Sequence, residues 1–130
     1  MSRNRSLFLF ASALVVVAGL AVVPFPKHAA AENAQATSLK NVQTGKCLTI
    51  AGGMSTDNNV TALQFDCDDH PSRTWRISDV TGSGVYQIRN VQTSKCLTIA
   101  GGVSTDNNVT ALQFDCDSHP SRTWTIRLKL

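Results

Sequence analysis

Two short stretches of this chain gather the groups best able to do chemistry. Asp66, Asp68, Asp69 and His70 precede Pro71, and Asp115, Asp117 and His119 precede Pro120. Carboxylates beside an imidazole can accept the hydroxyl protons of a sugar, or hold a hard cation such as Ca²⁺. They could also begin a hydrolase, but no Ser-His-Asp or Cys-His arrangement is signalled. Paired carboxylates alone do not indicate a glycosidase. The architectural reading is simpler. Asp next to His-Pro-Ser is ordinary turn chemistry, and Arg73 and Arg122 are ready ion-pair partners. Gly52-Gly53 and Gly101-Gly102 lack the strand–helix context of a phosphate loop and read as turns. Asp57-Asn58-Asn59 and Asp106-Asn107-Asn108 read as turns too. Asn59 and Asn108 also open formal glycosylation sequons, which matter only in a eukaryotic secretory pathway.

Each of these groups occurs twice because the chain is duplicated. Residues 40–75 and 89–124 align without gaps at an offset of 49, and 32 of the 36 positions are identical. The differences are Lys40/Arg89, Gly45/Ser94, Met54/Val103 and Asp69/Ser118. Two copies of one structural unit follow. Four cysteines allow three pairings. The duplication favours Cys47 with Cys67 and Cys96 with Cys116, inside each copy. Closing a loop of that size stabilises by about 3 kcal/mol in the chain-entropy model. A zinc site would want a Cys-x-x-Cys spacing that the chain lacks.

The elements that position these groups are short strands. In the second copy, 86–93, 95–100, 109–116 and 122–126 are rich in strand formers, separated by Gly-Gly, Ser-Thr-Asp-Asn-Asn and Asp-Ser-His-Pro-Ser. No stretch after Thr37 holds a helical period. Short strands with turn signals every 8–12 residues indicate an all-β barrel or sandwich. Trp75 and Trp124 should be core, since a buried Trp gives a small domain a large apolar area.

The first 36 residues differ from the rest. They hold 22 of the chain's 55 hydrophobic residues. Arg3 and Arg5 precede an uncharged, mostly apolar run at 7–23, broken by Pro24 and Pro26. Small-x-small sites follow at 29–31 and 34–36. This is the pattern of a cleaved secretory signal peptide. A membrane anchor is the rival, but 17 residues is short for a span. The expected organisation is a signal peptide and linker over 1–36, then one domain over 37–130 with repeats at 37–84 and 85–130. The protein is expected to be secreted and not membrane-bound after cleavage. Export to an oxidising compartment suits the disulfides. The chain carries a net charge of +3, most of it before Thr37. That excludes a strongly basic nucleic-acid binder, and no nucleic-acid partner is expected.

Each copy reads Asn-Val-Gln-Thr-(Gly/Ser)-Lys-Cys-Leu-Thr-Ile-Ala-Gly-Gly, then Ala-Leu-Gln-Phe-Asp-Cys, then Ser-Arg-Thr-Trp. This order resembles the ricin B-type lectin family, over nearly all of 37–130. The resemblance implies an all-β, β-trefoil-like fold, carbohydrate binding without catalysis, and no cofactor or metal. It implies a core role for Trp75 and Trp124. It places Phe65 and Phe114 where a sugar ring stacks on an aromatic platform, although alternation puts Leu63, Phe65 and Cys67 on one face and burial is the commoner fate of Phe. The sequence departs from the family repeat in three ways. Thr49 and Thr98 stand where an Asp usually accepts sugar hydroxyls. Arg73 and Arg122 replace the Gln of Gln-x-Trp. Two of the three usual four-stranded repeats are present, which leaves strand edges unpaired.

The expected function is reversible sugar recognition at repeated shallow sites. The candidate ligand-binding residues are Thr49, Phe65, Asp66, Asp68, His70 and Arg73. Their counterparts are Thr98, Phe114, Asp115, Asp117, His119 and Arg122. The Thr-for-Asp and Arg-for-Gln changes favour the alternative, a protein-binding module (an inhibitor or toxin-accessory domain) on the same scaffold. A further expectation is that chains associate to complete the trefoil, or that the two units form an opened variant of it.

Overall fold

The computed structural model describes Gly19, 35–82 and 84–127. Nearly all of the expected export segment lies outside the described residues. Four strands form in each copy: β1 (Ala36–Thr37), β2 (Cys47–Ile50), β3 (Ala62–Phe65) and β4 (Trp75–Asp79), then β5 (Val85–Asn90), β6 (Cys96–Ile99), β7 (Ala111–Phe114) and β8 (Trp124–Thr125). Helical geometry among the described residues is confined to single 3₁₀ turns at Pro71–Arg73 and Pro120–Arg122. Proline fits there because its fixed φ suits the first helical position.

The strands are shorter than the sequence pattern suggests. The segment expected to run from Tyr86 to Thr93 stops at Asn90. The Asn90 side-chain oxygen accepts from the backbone N–H groups of Gln92 and Thr93 and folds them into a turn. Such local side-chain bonds compete with the strand ladder.

β1, β4, β5 and β8 lie side by side, antiparallel, with β4 opposite β5 from Trp75↔Asn90 to Asp79↔Tyr86. Each copy then projects a hairpin. β2 pairs with β3 from Cys47↔Phe65 to Ile50↔Ala62, and β6 with β7 from Cys96↔Phe114 to Ile99↔Ala111. The two hairpins share one register, as near-identical sequence requires. Each is locked by its own cystine, Cys47–Cys67 and Cys96–Cys116, with Cα atoms 5.1 and 5.0 Å apart. The pairing inside each copy is the expected one.

Ile50, Trp75, Ile88 and Leu97 form the core where the copies meet, with Leu39, Leu48, Val60, Ala62, Ile77, Ala111 and Trp124 packed against them. Trp75 is wholly buried. Its indole N–H donates to the Leu48 carbonyl at 2.9 Å, and Trp124 donates to Leu97 at 3.1 Å. A buried indole needs such an acceptor, since an unpaired donor would forfeit its solvation.

Turn chemistry separates the twins at one position. Gly45 has φ +68°, and its counterpart Ser94 is held at φ +59°. A side chain in the left-handed region crowds its own carbonyl, at a cost of roughly 1–2 kcal/mol. We therefore expect Ser94→Gly to raise unfolding stability by about 1 kcal/mol and Gly45→Ser to lower it similarly. Urea unfolding midpoints of the two oxidised variants check this; equal midpoints would show that the turns carry no such strain.

Candidate functional site

Each copy holds a cleft between its hairpin and its 3₁₀ turn. The first, about 320 Å³, is lined by Thr49, Ile50, Gly52, Gly53, Leu63, Phe65, His70, Ser72 and Arg73. The second, about 270 Å³, is lined by the nine counterparts and by Asn59, which reaches in from the first copy. Four of the six residues expected in each site thus come together: Thr49, Phe65, His70 and Arg73, and likewise Thr98, Phe114, His119 and Arg122.

The floor is a relay of hydroxyl groups. His70 caps the 3₁₀ turn, and its Nδ1 accepts from the Ser72 backbone N–H at 3.2 Å. That use of Nδ1 as an acceptor leaves the proton of the neutral ring on Nε2. The Ser72 hydroxyl lies 2.8 Å from the same Nδ1. The Thr49 hydroxyl lies 3.0 Å from the Ser72 carbonyl and 3.1 Å from its hydroxyl, donating into the floor. Thr49 is buried, so the hydroxyl expected to meet a sugar is turned inward. The second copy repeats these distances through Thr98, His119 and Ser121.

Ser72 and Ser121 were not singled out from sequence. The signal was available, because a serine two residues past a capping histidine supplies the N–H that the cap accepts. A serine hydroxyl 2.8 Å from a histidine has the spacing of a nucleophile and its base. Ser72 is fully buried, however, and its hydroxyl is engaged by Thr49 and His70. The pair shapes the floor rather than presenting a nucleophile.

Arginine forms one wall. The Arg73 guanidinium carbon lies 4.4 Å from the centroid of the Phe65 ring, and Arg122 lies 4.2 Å from Phe114. A cation over a ring face is attracted by the ring quadrupole. Asp68 holds the far end of Arg73 at 3.1 Å, and Asp117 holds Arg122 at 3.2 Å. The Nε of each arginine is buried without a hydrogen-bond partner. Phe65 is 50% exposed, so it is not core.

The aspartates lie elsewhere. Asp68 accepts from the His70 backbone N–H at 3.0 Å and pairs with Arg73, the turn role that its context allowed. Asp66 pairs with Lys46, and Asp115 with Lys95. None of Asp66, Asp68, Asp115 and Asp117 lines either cleft. The Lys46 ammonium holds the Asp66 carboxyl below its usual range, with Arg73 adding a weaker pull. Lys95 does the same to Asp115, helped by the Asn58 amide, which donates across the copies at 3.0 Å.

A family model described as ricin-type beta-trefoil lectin domain-like matches residues 25–114 and again 74–129. Among solved structures the chain is similar to a designed 3-fold symmetric protein, at 21% identity and a TM-score of 0.64, covering 69% of this chain and 62% of that one. It is similar to an exo-β-1,3-galactanase from Clostridium thermocellum, at 20% identity and 0.62, covering 69% and 19%. It is also similar to the cytolethal distending toxin of Haemophilus ducreyi, at 24% identity and 0.54, covering 70% and 52%. The chain therefore spans less than two thirds of each of these proteins, and at such identities the likeness is one of fold. No curated protein matches the chain.

The two depressed carboxylates give a pH signature. A folded-state pKa below the unfolded value adds stability above the usual carboxylate range, and that stability is lost as pH falls through the depressed value. Carboxyl ¹³C titration should find Asp66 and Asp115 both below that range. Asn58→Ala should move Asp115 back upward and leave Asp66 unchanged. Equal movement of both would remove Asn58 as a cause.

Proposed function

The chain belongs to the ricin-type β-trefoil lectin domain-like family, and from that premise we propose that it is a secreted, non-catalytic module that binds carbohydrate reversibly in its two equivalent clefts. The observation that carries this reading is the set Phe65, His70 and Arg73, gathered in one cleft and repeated as Phe114, His119 and Arg122 in the other. A pyranose has one apolar face and a rim of hydroxyls. It suits a shallow hollow with an exposed ring, an imidazole Nε2–H and arginine N–H donors. Both cystines support export, because such bonds persist in oxidising compartments.

Each cleft is shallow and should bind weakly, with useful strength coming from two sites engaging one polymer. Asp66, Asp68, Asp115 and Asp117 belong to this proposal as outer supports: Asp68 and Asp117 fix the arginines, and Asp66 and Asp115 fix the hairpin lysines. Thr49 and Thr98 support the floor from beneath.

One observation favours a second reading. The threonine hydroxyls point into the floor, and no carboxylate lines either cleft. A cleft without an acidic acceptor suits a protein partner on the same scaffold. A glycan array of oxidised protein separates the two. We expect binding that falls at least tenfold in Phe65→Ala or Phe114→Ala, through lost avidity, and disappears in the double variant. Absence of any bound glycan would favour the protein-binding reading.

A further inference from the structure

Because the copies share 32 of 36 residues, any difference in burial between twins reports their surroundings and not their chemistry. The differences fall on two faces. On the first copy, Gln64 and Asn41 are exposed, whereas their twins Gln113 and Asn90 are wholly buried. Val42 is 99% exposed, whereas Val91 is half-buried. On the second copy the sign reverses. Ser104, Asn107 and Ser121 are more exposed than Ser55, Asn58 and Ser72.

These faces are the two halves of a seam that already exists once within the chain. The Gln113 side chain donates to the carbonyls of Ser55 and Asp57, at 2.8 and 2.7 Å. Its backbone exchanges bonds with Asn59 and Val60, at 2.9 Å each. Asn90 donates to the Ser72 carbonyl at 2.8 Å, and the Val91 N–H to Thr74 at 2.9 Å. The first copy carries the same donors, in Gln64, Asn41 and Val42, with no second copy's loop against them. Among the described residues the Gln64 side chain keeps only the local bond from Thr44, the twin of Thr93–Gln113. A hollow of about 610 Å³, bounded by Leu39, Asn41, Leu48, Leu63 and Gln64 among others, lies on this face. The second copy carries the matching acceptors at Ser104, Asp106, Ser121 and Thr123.

We propose that a further repeat, supplied by another copy of this chain, fills the space between these faces, and that three chains close two threefold barrels. The chain spans 62% of a designed 3-fold symmetric protein of like fold, the share expected of two repeats out of three. A second chain docked rigidly would bring its own second repeat onto the position already held by the first copy. The donor must therefore part its repeats at the β4–β5 turn. That exchange breaks the β4–β5 ladder of the donor and remakes the equivalent pairings in the other barrel. The turn itself is closed by the Val80 N–H to Val85 carbonyl bond and by Asp79, whose carboxylate accepts from the Thr81, Gly82 and Gly84 N–H groups. Two repeats per chain then need three chains to give a number divisible by three, which is the closure condition for such a contact. In the closed state the donor repeat brings its Asn59 in one barrel, or the twin Asn108 in the other, into the first cleft as Asn59 enters the second, so the two clefts become alike.

The inference does not depend on sugar binding, and mass alone tests it. Sedimentation and native mass spectrometry of the oxidised protein should give three chain masses. Val42→Lys, at a position too exposed to disturb the fold of its own chain, should shift the protein to one chain mass while leaving the near-ultraviolet signature of Trp75 and Trp124 intact. Gln64→Ala should weaken association at least tenfold. A wild-type mass of one or two chains at high concentration would overturn the proposal. So would a three-chain mass that Val42→Lys leaves unchanged.

Discussion

The buried carbonyl oxygen of Ser72 joins the first hairpin to the second repeat. It accepts from the Thr49 hydroxyl on β2 and from the Asn90 amide of the next repeat, at 3.0 and 2.8 Å. Both lone pairs of a wholly buried carbonyl are thereby used, as burial demands. The N–H of the same residue caps on His70. One serine therefore ties the hairpin, the 3₁₀ turn and the neighbouring repeat together. The floor of the first cleft and the seam between copies are parts of one hydrogen-bonded unit. Neither can shift without the other, because losing a partner here would leave a buried polar group unpaired.

The departures from the family repeat make sense around that point. A threonine at 49 supplies a hydroxyl short enough to donate to Ser72 while staying buried. Arginine at 73 reaches from the 3₁₀ turn back over Phe65 and is steadied by Asp68. The first change replaces an acceptor at the cleft surface by a donor buried in its floor, and the second puts a cation on its wall. Gly53 completes the arrangement. A Cβ there would stand 3.2 Å from the Ser72 hydroxyl, and its φ of +70° already favours glycine. The Gly-Gly turn is thus both a backbone requirement and the reason the cleft can close down on Ser72.

Much of this was legible in the sequence. The cystine pairing followed from duplication. The four strands per copy followed from turn residues at regular spacing, and the burial of Trp75 followed from its size. Less legible was which of three neighbouring aspartates faces what. Asp66 and Asp68 sit two residues apart, so alternation alone would give them one direction. The chain leaves the strand at Phe65, and each carboxylate then goes to the nearest cation. For Asp66 this is Lys46, twenty residues away and adjacent only through hairpin register. For Asp68 it is Arg73, brought near by the 3₁₀ turn. The seam was not legible at all, because Gln64 and Gln113 have the same neighbours in sequence. Their fates diverge solely through what lies against them in space.

That divergence bears on how a duplicated chain can be stable. Each residue type must serve in two environments. Gln113 is buried with both ends of its amide satisfied, one by Thr93 and the other by two carbonyls of the first copy. A glutamine so placed is tolerable only because every polar atom has a partner. Its twin at 64 is exposed where Gln113 meets those two carbonyls, and it loses little by that, since an exposed amide is open to solvation. The amides of such a seam cost little when open and gain directional bonds when closed. Apolar residues at the same positions would have left a sticky, undirected face on the open copy. The polar seam therefore lets one sequence act as a packed interior in one repeat and as a soluble, register-specific edge in the other.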